Sequence, residues 1–261
     1  MKNLIPALCL LVAGPTAFAQ QSIPCPLSTT IIVDGKANDW PINWIQDKEK
    51  MFSYNVCADE QLLYVRVMTS DYFTKRKMAA FGFTLWLDPE GKKKKKLGLR
   101  FPTGGAEAEE RAAAIRDQGG SGSSAGERAD YQKEIDRQLI INLEVLELIG
   151  LSKEPITSAR SGIMNGIKVA IDMDSTGAYV YEAIIPFKSF RISRAAIKEM
   201  SVGFETGKYI PPKTKTSSKS EAIVNSDMNA GRMTRYQGYQ SLMGNPKLTY
   251  PTYAWASLNL K

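Results

Sequence analysis

From residue 29 onward one pattern recurs: a few residues alternating between apolar and polar, rich in β-branched and aromatic side chains, then a turn. Successive side chains of a strand point to opposite faces, so a period of two describes strands with one face buried. Thr30-Ile31-Ile32-Val33 is the first such segment. Phe52, Tyr54 and Val56 alternate, Ala58-Asp59-Glu60-Gln61 turns, and Leu63, Val65 and Val67 resume, which predicts a hairpin. Phe81, Phe83, Leu85 and Leu87 share one face of a second hairpin, with Asp88-Pro89-Glu90-Gly91 as its turn and Leu97, Leu99 and Phe101 as its return. Ile167, Val169 and Ile171 pair with Tyr179, Tyr181, Ala183 and Ile185 across Ser175-Thr176-Gly177 in a third. Residues 201–205 and 254–260 supply two further strands. Many short antiparallel strands, none able to bury its apolar face alone, imply an all-β, antiparallel β-sandwich.

Two stretches interrupt the pattern and read as surface insertions around 104–138 and 208–251. The first is rich in Ala, Glu and Arg from Ala106 to Gln118, which favours a short helix, and continues into Gly119-Gly120-Ser121-Gly122-Ser123-Ser124, which has nothing to bury. From Ala129 to Ile149 the charge spacing predicts helix first and strand later. The second insertion, Tyr209 to Pro251, is rich in Lys, Ser, Gly and Pro. Residues 1–19 carry a lysine, an apolar run from Leu4 to Val12 and Ala17-Phe18-Ala19, the marks of a secretory signal peptide, so export to the periplasm or beyond is expected. The apolar run is shorter than a membrane span. Residues 20–261 then form one domain, which a β-sandwich of this length allows.

Histidine is absent. That removes the usual general base, the Ser-His and Cys-His nucleophile pairs and the commonest zinc ligand. Carboxylates are plentiful but no pair is singled out for glycoside hydrolysis. A haem would need methionine, lysine or cysteine as axial ligand, and Met51, Met68 and Met78 read as core filler. No enzyme activity and no cofactor other than calcium is expected. In an oxidising compartment Cys25 and Cys57 either form a disulfide or remain as buried thiols.

The order of segments resembles the family 9 carbohydrate-binding modules and their DOMON-like relatives: Ile32-Val33-Asp34-Gly35, Asp39-Trp40, residues 58–65, Phe83-Thr84-Leu85-Trp86-Leu87-Asp88-Pro89, and Tyr181-Glu182-Ala183-Ile184-Ile185-Pro186. The resemblance implies a β-sandwich, with sugar recognition in some members, haem in others and bound calcium in some.

Indole rings stack on the C–H faces of sugars, so Trp86, opposite the apolar face of its strand, and Trp44 and Trp40, flanking Pro41-Ile42-Asn43, are candidate ligand-binding residues for a polysaccharide or other glycan. Trp40 also reads as a plug on the core. Asp34, Asp39, Asp59 and Glu182 are hard oxygen donors that suit calcium, with turn capping as the competing role for Asp34 and Asp59. Lys92, Lys93, Lys94, Lys95 and Lys96 form a basic run on a hairpin tip, either solvated or facing an anionic partner. Nucleic acid is not expected. The alternative to glycan binding is an envelope adaptor that docks another protein through the second insertion and its tyrosines, Tyr209, Tyr236, Tyr239 and Tyr250.

Overall fold

The computed structural model describes residues 31–40, 44–104, 124–141, 143, 145–158, 163–164, 166–210 and 245–260. Residues 1–19, expected to be a signal peptide, Cys25, residues 105–123 and most of the second insertion, with Tyr236 and Tyr239, lie outside them.

Two antiparallel sheets carry the fold. The first has the order β1 (Ile45–Gln46), β2 (Ser53–Ala58), β3 (Leu62–Thr69), β10 (Tyr179–Pro186), β9 (Ile167–Met173), β8 (Ile163–Met164). The second has the order β12 (Tyr253–Asn259), β11 (Glu199–Thr206), β4 (Phe83–Asp88), β5 (Leu97–Arg100), β6 (Leu146–Ile149), β7 (Ile156–Ser158). Leu63, Val65 and Val67 of β3 and Tyr181, Ala183 and Ile185 of β10 meet Phe83, Leu85 and Leu87 of β4 and Met200, Val202 and Phe204 of β11 in one buried core. This is the all-β sandwich that the alternation implies, and the three hairpins pair as the sequence predicts.

Two elements differ from the sequence expectation. Ile31, Ile32 and Val33 form no strand. The Asp39 carboxylate accepts from Ile32 N at 2.6 Å, and Glu182 accepts from Asp34 N at 3.2 Å and Gly35 N at 2.9 Å, so these backbone donors are taken by side chains rather than by a ladder. Phe81 belongs to a helix, α1 (Tyr72–Phe81), which crosses from β3 to β4 and is capped by Asp71 accepting from Thr74 N at 2.7 Å.

Helix α2 (Ala125–Ile140) opens on a capping box between Ser124 and Glu127 and is followed by β6, as the helix-then-strand pattern predicts. Its first turns are exposed and its last two turns are packed. Ile135, Leu139 and Ile140 pack with Ala79 of α1, Met173 of β9 and Tyr179 of β10 in a second apolar cluster. The ends of the second insertion are also tied down: Tyr209 N donates to Leu248 O at 2.8 Å beside the short helix α3 (Pro246–Thr249), and Leu248 is buried. Among the described residues no helix is long and apolar enough to cross a membrane.

Candidate functional site

The outward faces of the two sheets hold two different tryptophan arrangements. On the second sheet, inward residues of β4, β11 and β12 alternate with outward ones, and register places the outward ones in rows. One row runs Trp255, Gly203, Trp86, Gly98, Ile149 across β12, β11, β4, β5 and β6. The next runs Tyr253, Glu205, Thr84, Arg100, Glu147.

The glycines explain how the rings lie. A Cβ on Gly98 would stand 3.0 Å from Trp86 Cε3, and one on Gly203 would stand 2.9 Å from Trp255 Cη2. Each indole therefore occupies the space that a side chain on the neighbouring strand would fill. Trp86 spans its own strand, its six-membered ring over Gly98 on one side and its Nε1 donating to Glu205 Oε2 at 2.5 Å on the other. Both rings are half-buried, and Tyr253 beside them is 61% exposed.

The lysine run reaches the same face. Asp88, buried at the end of β4, accepts from Glu90 N at 3.0 Å and from Lys94 N at 2.9 Å, which fixes the path of the loop. Lys95 Nζ then lies 2.8 Å from Glu205 Oε1 and 5.7 Å from the centroid of the Tyr253 ring. Lys92 and Lys94 turn instead to Glu90, at 3.1 and 2.8 Å, and Lys93 and Lys96 extend into solvent. Lys94, then Lys92, hold the Glu90 carboxyl down at about 2. A depressed carboxylate favours the folded loop at pH above its ordinary range and loses that contribution as pH falls through about 2. Because the pair is exposed and screened, NMR titration of the Glu90 side chain should give a midpoint near 2 at low salt that climbs toward 4.5 in molar NaCl.

The first sheet carries a clasp. Arg66 projects outward from β3, sandwiched 5.1 Å from the Trp40 ring centroid and 4.0 Å from that of Trp44. Opposite it in the register stands Glu182 on β10, fully buried, accepting from Asp34 N, Gly35 N and, at 2.8 Å, Trp40 Nε1. Gly35 has φ +80°, and a Cβ there would meet Asp172 at 2.6 Å, so the turn sits directly on β9. Burial pushes the Arg66 guanidinium down to about 10, with Glu182 and then Asp39 opposing it, and burial pushes Glu182 up against its three donors.

Trp40 and Trp44 thus cover the outside of the first sheet and are remote in topology from Trp86. The three candidate tryptophans therefore do not share one surface, because Arg66 of the first sheet packs against Trp40 and Trp44 while Trp86 belongs to the second. Asp34, Asp39 and Glu182 gather around this clasp, whereas Asp59 caps the β2–β3 turn, accepting from Gln61 N and Leu62 N at 2.7 Å and from Tyr64 Oη at 2.9 Å. Burial and then this bond push the Tyr64 phenol up to about 12. Among the described residues no group of three or more such side chains is placed to hold a metal ion. Cys57 is buried and disulfide-bonded.

Sequence reasoning singled out Trp86 and Lys95 but not Trp255, Tyr253 or Glu205. A signal existed: a lone glycine inside an alternating strand marks a close approach, and Gly98 and Gly203 are both of that kind. No family model and no curated protein matches this chain.

Proposed function

We propose that this chain is an exported, non-catalytic carbohydrate-binding protein, built like the family 9 modules, that holds a polysaccharide on the outer face of the second sheet. The observation that carries the reading is the row of two tryptophans seated over Gly203 and Gly98, with Tyr253, Glu205, Lys95, Thr84 and Arg100 alongside. Aromatic faces supply apolar area to sugar C–H groups, and amide-like and charged groups at their edge exchange hydrogen bonds with hydroxyls. The Trp86–Glu205–Lys95 chain fixes the indole before any ligand arrives, which lowers the ordering cost of binding.

The test is retention of the full protein on insoluble neutral and acidic polysaccharides. Retention is expected, and Trp86→Ala should weaken it at least tenfold, about 1.4 kcal/mol, at a temperature where its melting curve shows the variant still fully folded. Equal retention of Trp86→Ala and the parent would remove this face from the function. Absence of retention on every polysaccharide, together with a co-purifying envelope protein, would favour the adaptor role.

A further inference from the structure

The register of the second sheet goes further than a glycan-binding face. Resting on that proposed reading, we infer that the ligand is an uncharged polysaccharide in extended conformation that runs across the strands and stacks on this face at every second sugar. Trp255 and Trp86 stand in the same row of β12 and β4 with β11 between them. Each ring leans one strand in the same direction, onto Gly203 of β11 and Gly98 of β5. The two rings are therefore two strands apart, roughly 9–10 Å. That distance is about the advance of two pyranose units in a fully extended chain, so units separated by one intervening sugar meet the two indoles.

The charge pattern selects the ligand class. In the neighbouring row, Glu205 is matched by Lys95 at 2.8 Å and Arg100 by Glu147 at 3.5 Å. The cations nearest the tryptophans are each neutralised by a carboxylate, so the face offers hydrogen-bonding groups without net charge. An acidic chain would have to displace Glu205 or Glu147 from its partner. Lys93 and Lys96, which form no ion pair among the described residues, belong to the loop beyond the row.

Calorimetric titration of the full protein with β-1,4-linked gluco-, manno- and xylo-oligosaccharides, from disaccharide to hexasaccharide, tests the geometry. In one series at least, affinity should rise about tenfold or more between disaccharide and trisaccharide, the shortest ligand that reaches both rings, and change less than twofold between low and high NaCl. Trp255→Ala should erase that step while leaving disaccharide affinity in place, and Trp255→Tyr should restore part of it. A disaccharide as tight as the hexasaccharide would overturn the two-ring spacing and leave glycan binding standing. So would retention on polysaccharides without binding of any of these oligosaccharides. Binding that collapses with salt would overturn the uncharged ligand. Failure of every oligosaccharide and every polysaccharide would overturn this inference and the proposed function together.

Discussion

Glu182→Ala should lower the stability of this protein by about 3–5 kcal/mol, the scale for leaving a buried charge unopposed together with three donors that lose their acceptor. Glu182 is fully buried and Arg66 is 2% exposed. Without the carboxylate, the guanidinium keeps its cation–π contacts to Trp40 and Trp44 but loses the larger of the two negative charges that oppose its burial. The N–H groups of Asp34 and Gly35 and the indole N–H of Trp40 lose their acceptor in the same step. At roughly 2–4 °C per kcal/mol for a chain of this size, thermal melting should shift downward by about 10 °C. Glu182→Gln keeps a carbonyl acceptor for one or two of the donors and removes only the charge, so it should fall between the alanine variant and the parent. Arg66→Met combined with Glu182→Leu should recover only part of the loss, because the three orphaned donors remain. Equal melting of parent and Glu182→Ala would mean that the segment before β1 contributes nothing to holding the first sheet.

The difference between what sequence reveals and what it hides is visible in this clasp. Asp34, Asp39, Trp40 and Glu182 each fall in a segment that the family resemblance picks out, yet from sequence the carboxylates read as metal ligands or turn caps and nothing points to Arg66. Only the register of β3 against β10 puts Arg66 beside Glu182. The hairpins were legible because their period of two is local and their turns are short. Helix α1 was not, because its buried residues include Lys75, Arg76 and Lys77. Its buried apolar residues are confined to Met78, Ala79 and Ala80 at one end, too few to give an apolar stripe. Strands β1, β7 and β8 are too short to carry a period. On the candidate site, Trp86 was legible from its own strand, whereas its neighbour Trp255 lies 169 positions later and becomes a neighbour only through β11.

Asp136→Ala should have an effect of the same order on the other side of the molecule, and it also decides how the helices belong to the sandwich. Lys75 of α1 donates to Asp136 of α2 at 2.5 Å and to Gly177 O, in the β9–β10 turn, at 2.8 Å. Asp136 also accepts from Gln132 at 2.9 Å, and its backbone carbonyl takes the Tyr179 hydroxyl. The two side chains are almost fully enclosed, with relative exposures of 10% and 3%. Truncating Asp136 leaves an ammonium group facing one carbonyl in a buried site, a loss of about 3–5 kcal/mol, and unpins α2 from both α1 and the hairpin turn. If α2 is part of the cooperative unit, as its contacts with Ala79, Met173 and Tyr179 require, the whole denaturation curve should move to lower denaturant in a single step with an unchanged slope. Lys75→Met with Asp136→Leu should then regain most of the lost stability, since both charges go and apolar volume replaces them. Were α2 a separable appendage, the sandwich would unfold at its original midpoint while a protease removed residues 124–141, and the reading of one domain from β1 to β12 would fail.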